Sequence, residues 1–130
     1  MITNGDCTIY NRHYNPAKRL DEWRRTPVTG VNWHAMQAAT VGDNGLRAAD
    51  VYVVRIPAGN APPGYQAPDS YDGTGWTLQT GDILVRGVVA DEIAKATDVT
   101  GKYADCCTVT GVRDNRRGSP VMQHWRVEGK

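Results

Sequence analysis

The residues of this chain best able to do chemistry are Cys7, Cys106 and Cys107, with His13, His34 and His124. A catalytic thiol needs an oriented base and a lowered pKa. No spacing in the sequence marks one Cys–His pair over another. Zinc sites favour Cys-x-x-Cys or closely spaced His, whereas Cys106 and Cys107 have no spacer. The odd number and the adjacent pair make a poor disulfide framework, so all three cysteines read as small buried hydrophobes. The serines are Ser70 and Ser119, and neither sits in a Gly-x-Ser-x-Gly elbow. Asp43-Asn44-Gly45 superficially resembles a calcium loop but lacks the glutamate that would close it. There is no P-loop and no Gly-x-Gly-x-x-Gly fingerprint. Asp91 and Glu92 are adjacent, so on a helix they diverge and make no general acid/base pair. No catalytic residue, metal-ligand set or cofactor site is therefore assigned, and the chain is not expected to be an enzyme.

Charge is more informative than reactivity. The net charge is only +1, which argues against duplex binding as the main role. Residues 12–25 hold Arg12, Lys18, Arg19, Arg24 and Arg25 against Asp21 and Glu22, a balance of +3. Residues 66–105 hold seven acids against Arg86, Lys95 and Lys102, a balance of −4. Arg113, Arg116 and Arg117 form a second basic cluster. Such a two-signed surface suits head-to-tail contact between identical subunits. The same cluster with Trp125 also has the makings of a basic patch beside a stacking platform.

These residues must be positioned by a mainly β fold. The 130 residues suit one domain, and 14 Gly and 7 Pro punctuate many short strands. Residues 7–12 read as a strand with Cys7, Ile9 and Asn11 on one face and Thr8 and Tyr10 on the other. Residues 22–25 lead into a second strand, which Pro27 interrupts as an edge or bulge. Residues 31–39 continue it, with Val31, Trp33 and Ala35 opposite Asn32, His34 and Met36. Gly42-Asp43-Asn44-Gly45 is a tight turn. Residues 50–56 are rich in β-branched side chains and form the clearest strand. Residues 58–75 follow, an 18-residue segment with three Pro and four Gly. It is longer than ordinary loops, and Tyr65 and Tyr71 offer anchors for a neighbour that would order it. Residues 76–78 and 82–89 read as strands, residues 91–97 as a short helix capped by Asp91, and residues 106–112 and 121–127 as a final hairpin. The expected fold is a small β-barrel or sandwich of six to seven strands, with one short helix and a long Gly/Pro loop, over residues 1–130. No apolar run approaches a membrane span, and the N-terminus lacks a signal-peptide pattern. A soluble protein made in a reducing cytoplasm is expected.

The strands and their order resemble the head–tail joining, or stopper, proteins of tailed bacteriophages. The resemblance rests on an opening strand ending in Arg (Thr8-Ile9-Tyr10-Asn11-Arg12) and an acidic–Trp step (Leu20-Asp21-Glu22-Trp23). It continues through a Trp-bearing strand (Gly30-Val31-Asn32-Trp33), the β-rich residues 51–56, the Gly81-Asp82-Ile83-Leu84-Val85 strand and the C-terminal hairpin within residues 109–127. It implies a structural virion protein at the head–tail interface. Its subunits would form a homo-oligomeric ring, six- or twelve-fold, between the portal or adaptor ring and the tail terminator or tail tube protein. It implies non-specific contact with packaged DNA, no membrane, no cofactor and no catalysis. Within that scheme Lys18, Arg19, Arg24, Arg25, Tyr65 and Tyr71 are expected at a subunit interface, and Arg113, Arg116 and Arg117 toward the DNA channel. The alternatives are a neighbouring ring component (tail terminator or adaptor) or a small oligonucleotide-binding barrel. From another class again, a Cys-dependent enzyme would require a thiol of lowered pKa.

Overall fold

Six antiparallel strands close into a barrel in the order β1-β2-β3-β6-β5-β4. They are β1 (Gly5–Asn15), β2 (Leu20–Gly42), β3 (Gly45–Pro57), β4 (Ile83–Arg86), β5 (Cys106–Asn115) and β6 (His124–Gly129). The computed structural model describes residues 3–42, 45–93, 95, 97–103 and 105–130. The mainly β architecture expected from the sequence is thus present, as a barrel of six strands.

Two strands turn the corners of this barrel. The first half of β2 pairs with β1, from Leu20 opposite Asn15 to Val31 opposite Gly5. Its second half pairs with β3, from Asn32 opposite Arg55 outward. The change falls beside Gly30, whose φ of 77° only glycine adopts readily, and beside a register shift opposite residues 5–7. Pro27 lies in the half of β2 that has no partner on its other side, so its missing N–H removes no ladder bond there, and the strand runs through it. In the same way β5 pairs with β4 through Thr108 and with β6 from Val109 onward, with a register shift between Val109 and Gly111.

Alternation fills the inside. Cys7, Ile9, Val31, Trp33, Val54, Ile56, Trp125 and Val127 form the main core with Trp76 and Leu78. The opposite face of β1 is buried as well. Tyr10 packs with Ile83, Val85 and Val99 beneath the β4–β5 connection. Thr8 Oγ1 donates to the Gly87 carbonyl at 2.8 Å, and Tyr10 Oη to that of Asp91 at 2.7 Å. With both faces covered, residues 7–11 are all buried.

Several expected elements differ. Residues 76–78 are not a strand. Asn11 Oδ1 accepts from the Thr77 N–H at 3.1 Å and Asn11 Nδ2 donates to the Thr77 carbonyl at 2.7 Å, so a side chain satisfies the backbone that a ladder would have paired. One parallel bridge, Tyr65 to Trp76, remains. The strand expected over 82–89 is only Ile83–Arg86, because Gly87 turns away with φ 86°. The helix is α1 (Thr97–Thr100); residues 91–93, where a helix is expected to start, are not helical, and residues 94 and 96 lie outside the described residues. Asp91 does not cap it, since its carboxylate accepts from Lys102 Nζ and Tyr103 Oη at 2.8 and 2.6 Å. Val121 lies in a 3-10 turn (Pro120–Met122), so β6 starts at His124. Asp43 and Asn44 of the expected tight turn lie outside the described residues, although Gly42 and Gly45 pair.

Strand directions sort the molecule into two ends. β1 finishes, and β2, β4 and β6 begin, at what we call the turn end. The 16–19 turn, the 58–82 segment and the 116–123 turn all lie there. At the other end β2 and β3 run on past the barrel as a two-stranded arm. Among the described residues its seven rungs, from Met36 opposite Val51 to Gly42 opposite Gly45, pair with no third strand. At about 3.4 Å per residue the arm extends roughly 24 Å.

Candidate functional site

The turn end gathers most of the residues singled out in the sequence. Its mouth is closed by aromatic rings. Tyr65, carried by the long segment, packs on Trp76 and Trp125 with centroids 5.0 and 4.9 Å away. Trp76 Nε1 donates to the Pro62 carbonyl at 3.0 Å, which ties the segment to its own end. Tyr65 therefore completes this barrel's core. Tyr71 is half-buried, edge-on to His13 at 5.7 Å.

Arg116 seals the same mouth. Its Nη2 and Nε reach Asp114 at 2.6 and 2.8 Å, and its guanidinium lies 4.6 Å from the Trp125 ring and 4.9 Å from Tyr65. That leaves Trp125 only 3% exposed, with no ring face free for a base to stack on. Arg117 is exposed on the turn.

The first basic cluster lies alongside. Lys18 pairs with Glu22 at 3.3 Å, and Arg19 occupies the turn with φ 53°. Arg24 and Arg25 line an open groove of about 1020 Å³ with Arg12, Trp23, Glu92 and Lys95. Their hydrogen-bond partners are neutral carbonyls, Gly73 at 3.4 Å and Val89 at 3.1 Å, and among the described residues neither cation has an ion pair. Three of the seven acids of residues 66–105 are engaged within the subunit: Asp82 is fully buried, Asp72 accepts from Thr74, and Asp91 is tied to Lys102 and Tyr103.

Asp82 anchors the closing segment. Its Oδ2 accepts from Asn11 Nδ2 at 2.7 Å and its Oδ1 from the Arg12 N–H at 3.0 Å. Burial raises its pKa, against the lowering by these hydrogen bonds. The cysteines are free. Burial pushes the thiols of Cys7 and Cys107 up to about 12, and that of Cys106 upward, which is the reverse of what a nucleophile needs. Among the described residues no three His, Cys, Asp or Glu side chains converge as metal ligands, and no helix is long and apolar enough to cross a membrane.

One row of residues escaped the sequence reading. On the outside of the barrel Arg55 of β3 lies opposite Arg126 of β6, and Arg126 lies opposite Arg113 of β5. The core positions of Val54, Ile56, Trp125 and Val127 fix the outward direction of Arg55 and Arg126. Arg126 Nη2 meets Glu128 at 3.1 Å. Arg55 and Arg126 are isolated cations in the sequence, and only the strand register brings them beside Arg113.

Residues 2–130 match a Family of unknown function (DUF6751), and the chain belongs to this family. No curated protein and no solved structure matches the chain.

Proposed function

We propose that this protein is a structural subunit of the tailed-bacteriophage head–tail connector, a stopper or head-completion ring component that joins the portal side to the tail and helps retain DNA. The observation that carries the reading is the β2–β3 arm. A two-stranded ribbon alone in water is marginal, and its unpaired edges invite pairing with another chain. In a ring each subunit would lay its arm along the next one, which supplies the missing partner. Lys18, Arg19, Arg24 and Arg25, with the exposed part of Tyr71, form the complementary surface in this reading. Tyr65 belongs to the subunit's own closure. The partners are further copies of this chain in a six- or twelve-fold ring, a portal or adaptor ring on one side, and a tail terminator or tail tube protein on the other. A tail terminator or adaptor would share these features. A small oligonucleotide-binding barrel would need an open stacking platform, and Trp125 beside the basic hairpin is covered by Arg116.

The test removes the arm. Replacing residues 36–51 by an Asn-Gly turn leaves every barrel pairing of β1, β4, β5 and β6 in place. The shortened protein should fold and stay monomeric under conditions where the full chain assembles. Assembly that survives the deletion contradicts the reading.

A further inference from the structure

We infer that the Arg55–Arg126–Arg113 ladder is a binding surface for the phosphodiester backbone of a nucleic acid. Side chains directly opposite each other on neighbouring strands have Cβ atoms about 4.5–5.5 Å apart, and like charges there destabilise a sheet. Here the like-charged contact occurs twice in succession, across three adjacent strands. The barrel needs no charge at these outward positions, since its core is built by the residues between them.

The ladder is also poorly compensated. Glu128 neutralises Arg126 alone. Among the described residues Arg55 and Arg113 form no ion pair, and Arg126 Nε is buried without an acceptor. All three cations are arginine, whose planar fork matches phosphate oxygens in pairs. They form a line across the strands roughly 10 Å long, at the strand spacing of about 4.8 Å. A line of forks fits a linear polyanion. Asp72, Asp82 and Asp91 of a second copy are engaged within their own subunit, and an acidic polypeptide is the rival occupant that the polyglutamate arm below scores. Contacts of this kind carry no base sequence. The inference deepens the connector reading, on which it rests for the source of the nucleic acid. It moves the DNA-facing role from Arg116, which is held by Asp114 and Trp125, to Arg55 and Arg126 beside Arg113.

The experiment is a salt titration of binding to a labelled duplex of mixed sequence, read by fluorescence anisotropy on the full chain. Arg55→Gln/Arg113→Gln/Arg126→Gln should bind at least about tenfold more weakly, with a log K against log salt slope shallower by about 2–3, near 0.9 for each lost phosphate contact. Arg86→Gln/Lys130→Gln, two exposed cations at the end of the barrel away from the turns, should change neither. The triple variant should also melt no lower than the parent, since it relieves repulsion. If it fails to fold, the triple Arg→Lys variant decides: it should keep the slope and lose affinity with the fork geometry. Unchanged affinity and slope in the triple variant overturn the inference. So does an equal loss in the Arg86/Lys130 control, or binding of polyglutamate as tight as that of DNA. Ring formation is scored separately without DNA. A variant that assembles normally but has lost DNA binding supports the ladder, whereas a parent that binds DNA through it without forming rings overturns only the connector reading.

Discussion

The Arg116 guanidinium carbon lies 4.6 Å from the Trp125 ring, while Asp114 grips the guanidinium at 2.6 Å. The contact fastens the β5–β6 turn to the aromatic plug that closes the barrel. The Arg116 and Asp114 side chains remain 39% and 46% exposed, so their ion pair is screened and contributes little. The stacking on two rings contributes more. Arg116→Ala is expected to cost about 1 kcal/mol in urea unfolding. It should also increase quenching of tryptophan fluorescence by iodide, as Trp125 becomes accessible. Unchanged quenching would mean that Arg116 does not cover the ring.

Asp82 gives the molecule a signature in pH. Its pKa is raised in the folded state, chiefly by burial. The folded protein therefore holds this proton more tightly than the unfolded chain does. The stabilisation from Asp82 is greatest below the carboxyl's unfolded pKa. It declines as pH rises from there through the raised folded value. Asp82→Ala also strips the Asn11 amide and the Arg12 N–H of their acceptor, at a cost of about 1–3 kcal/mol. The stability gap between parent and variant should narrow with rising pH in chemical denaturation. A gap that widens would place the sign of the shift wrongly.

The thiols offer a direct readout of burial. With Cys7 and Cys107 pushed up to about 12, iodoacetamide at neutral pH should leave both unmodified in the folded protein. Cys106, half-buried with its Sγ 3.1 Å from the Tyr103 carbonyl, should react slowly. Mass spectrometry of peptides labelled before and after unfolding distinguishes the three. Rapid single labelling of the folded protein would point to an activated thiol and to chemistry that the geometry does not show.

Strands whose alternation faced a core were legible in the sequence. Residues 7–12 and 50–56 lie within β1 and β3, and the buried roles of Val31 and Trp33 follow from period two. Ala35 breaks that pattern and is exposed, because β2 there is leaving the barrel. What could not be read depended on partners distant in sequence. Thr77 looks like a strand residue, and only Asn11, 66 positions away, takes its backbone bonds. Asp91 looks like a helix cap, and Lys102 and Tyr103 claim it instead. The basic turn at 113–117 was visible as composition. Its division into a sealed Arg116 and an outward Arg113 needed the register of β5 on β6. Arg55 and Arg126 carry no sequence signal at all.

The most direct measurement is electron microscopy of the purified full-length protein at high concentration. Closed rings of uniform size with a central channel are expected, and the loss of those rings when Arg24 and Arg25 are reversed to Glu, since among the described residues neither cation has an ion pair within the subunit. A protein that remains a 14.2 kDa monomer, alone and mixed with a portal or adaptor ring, would contradict it.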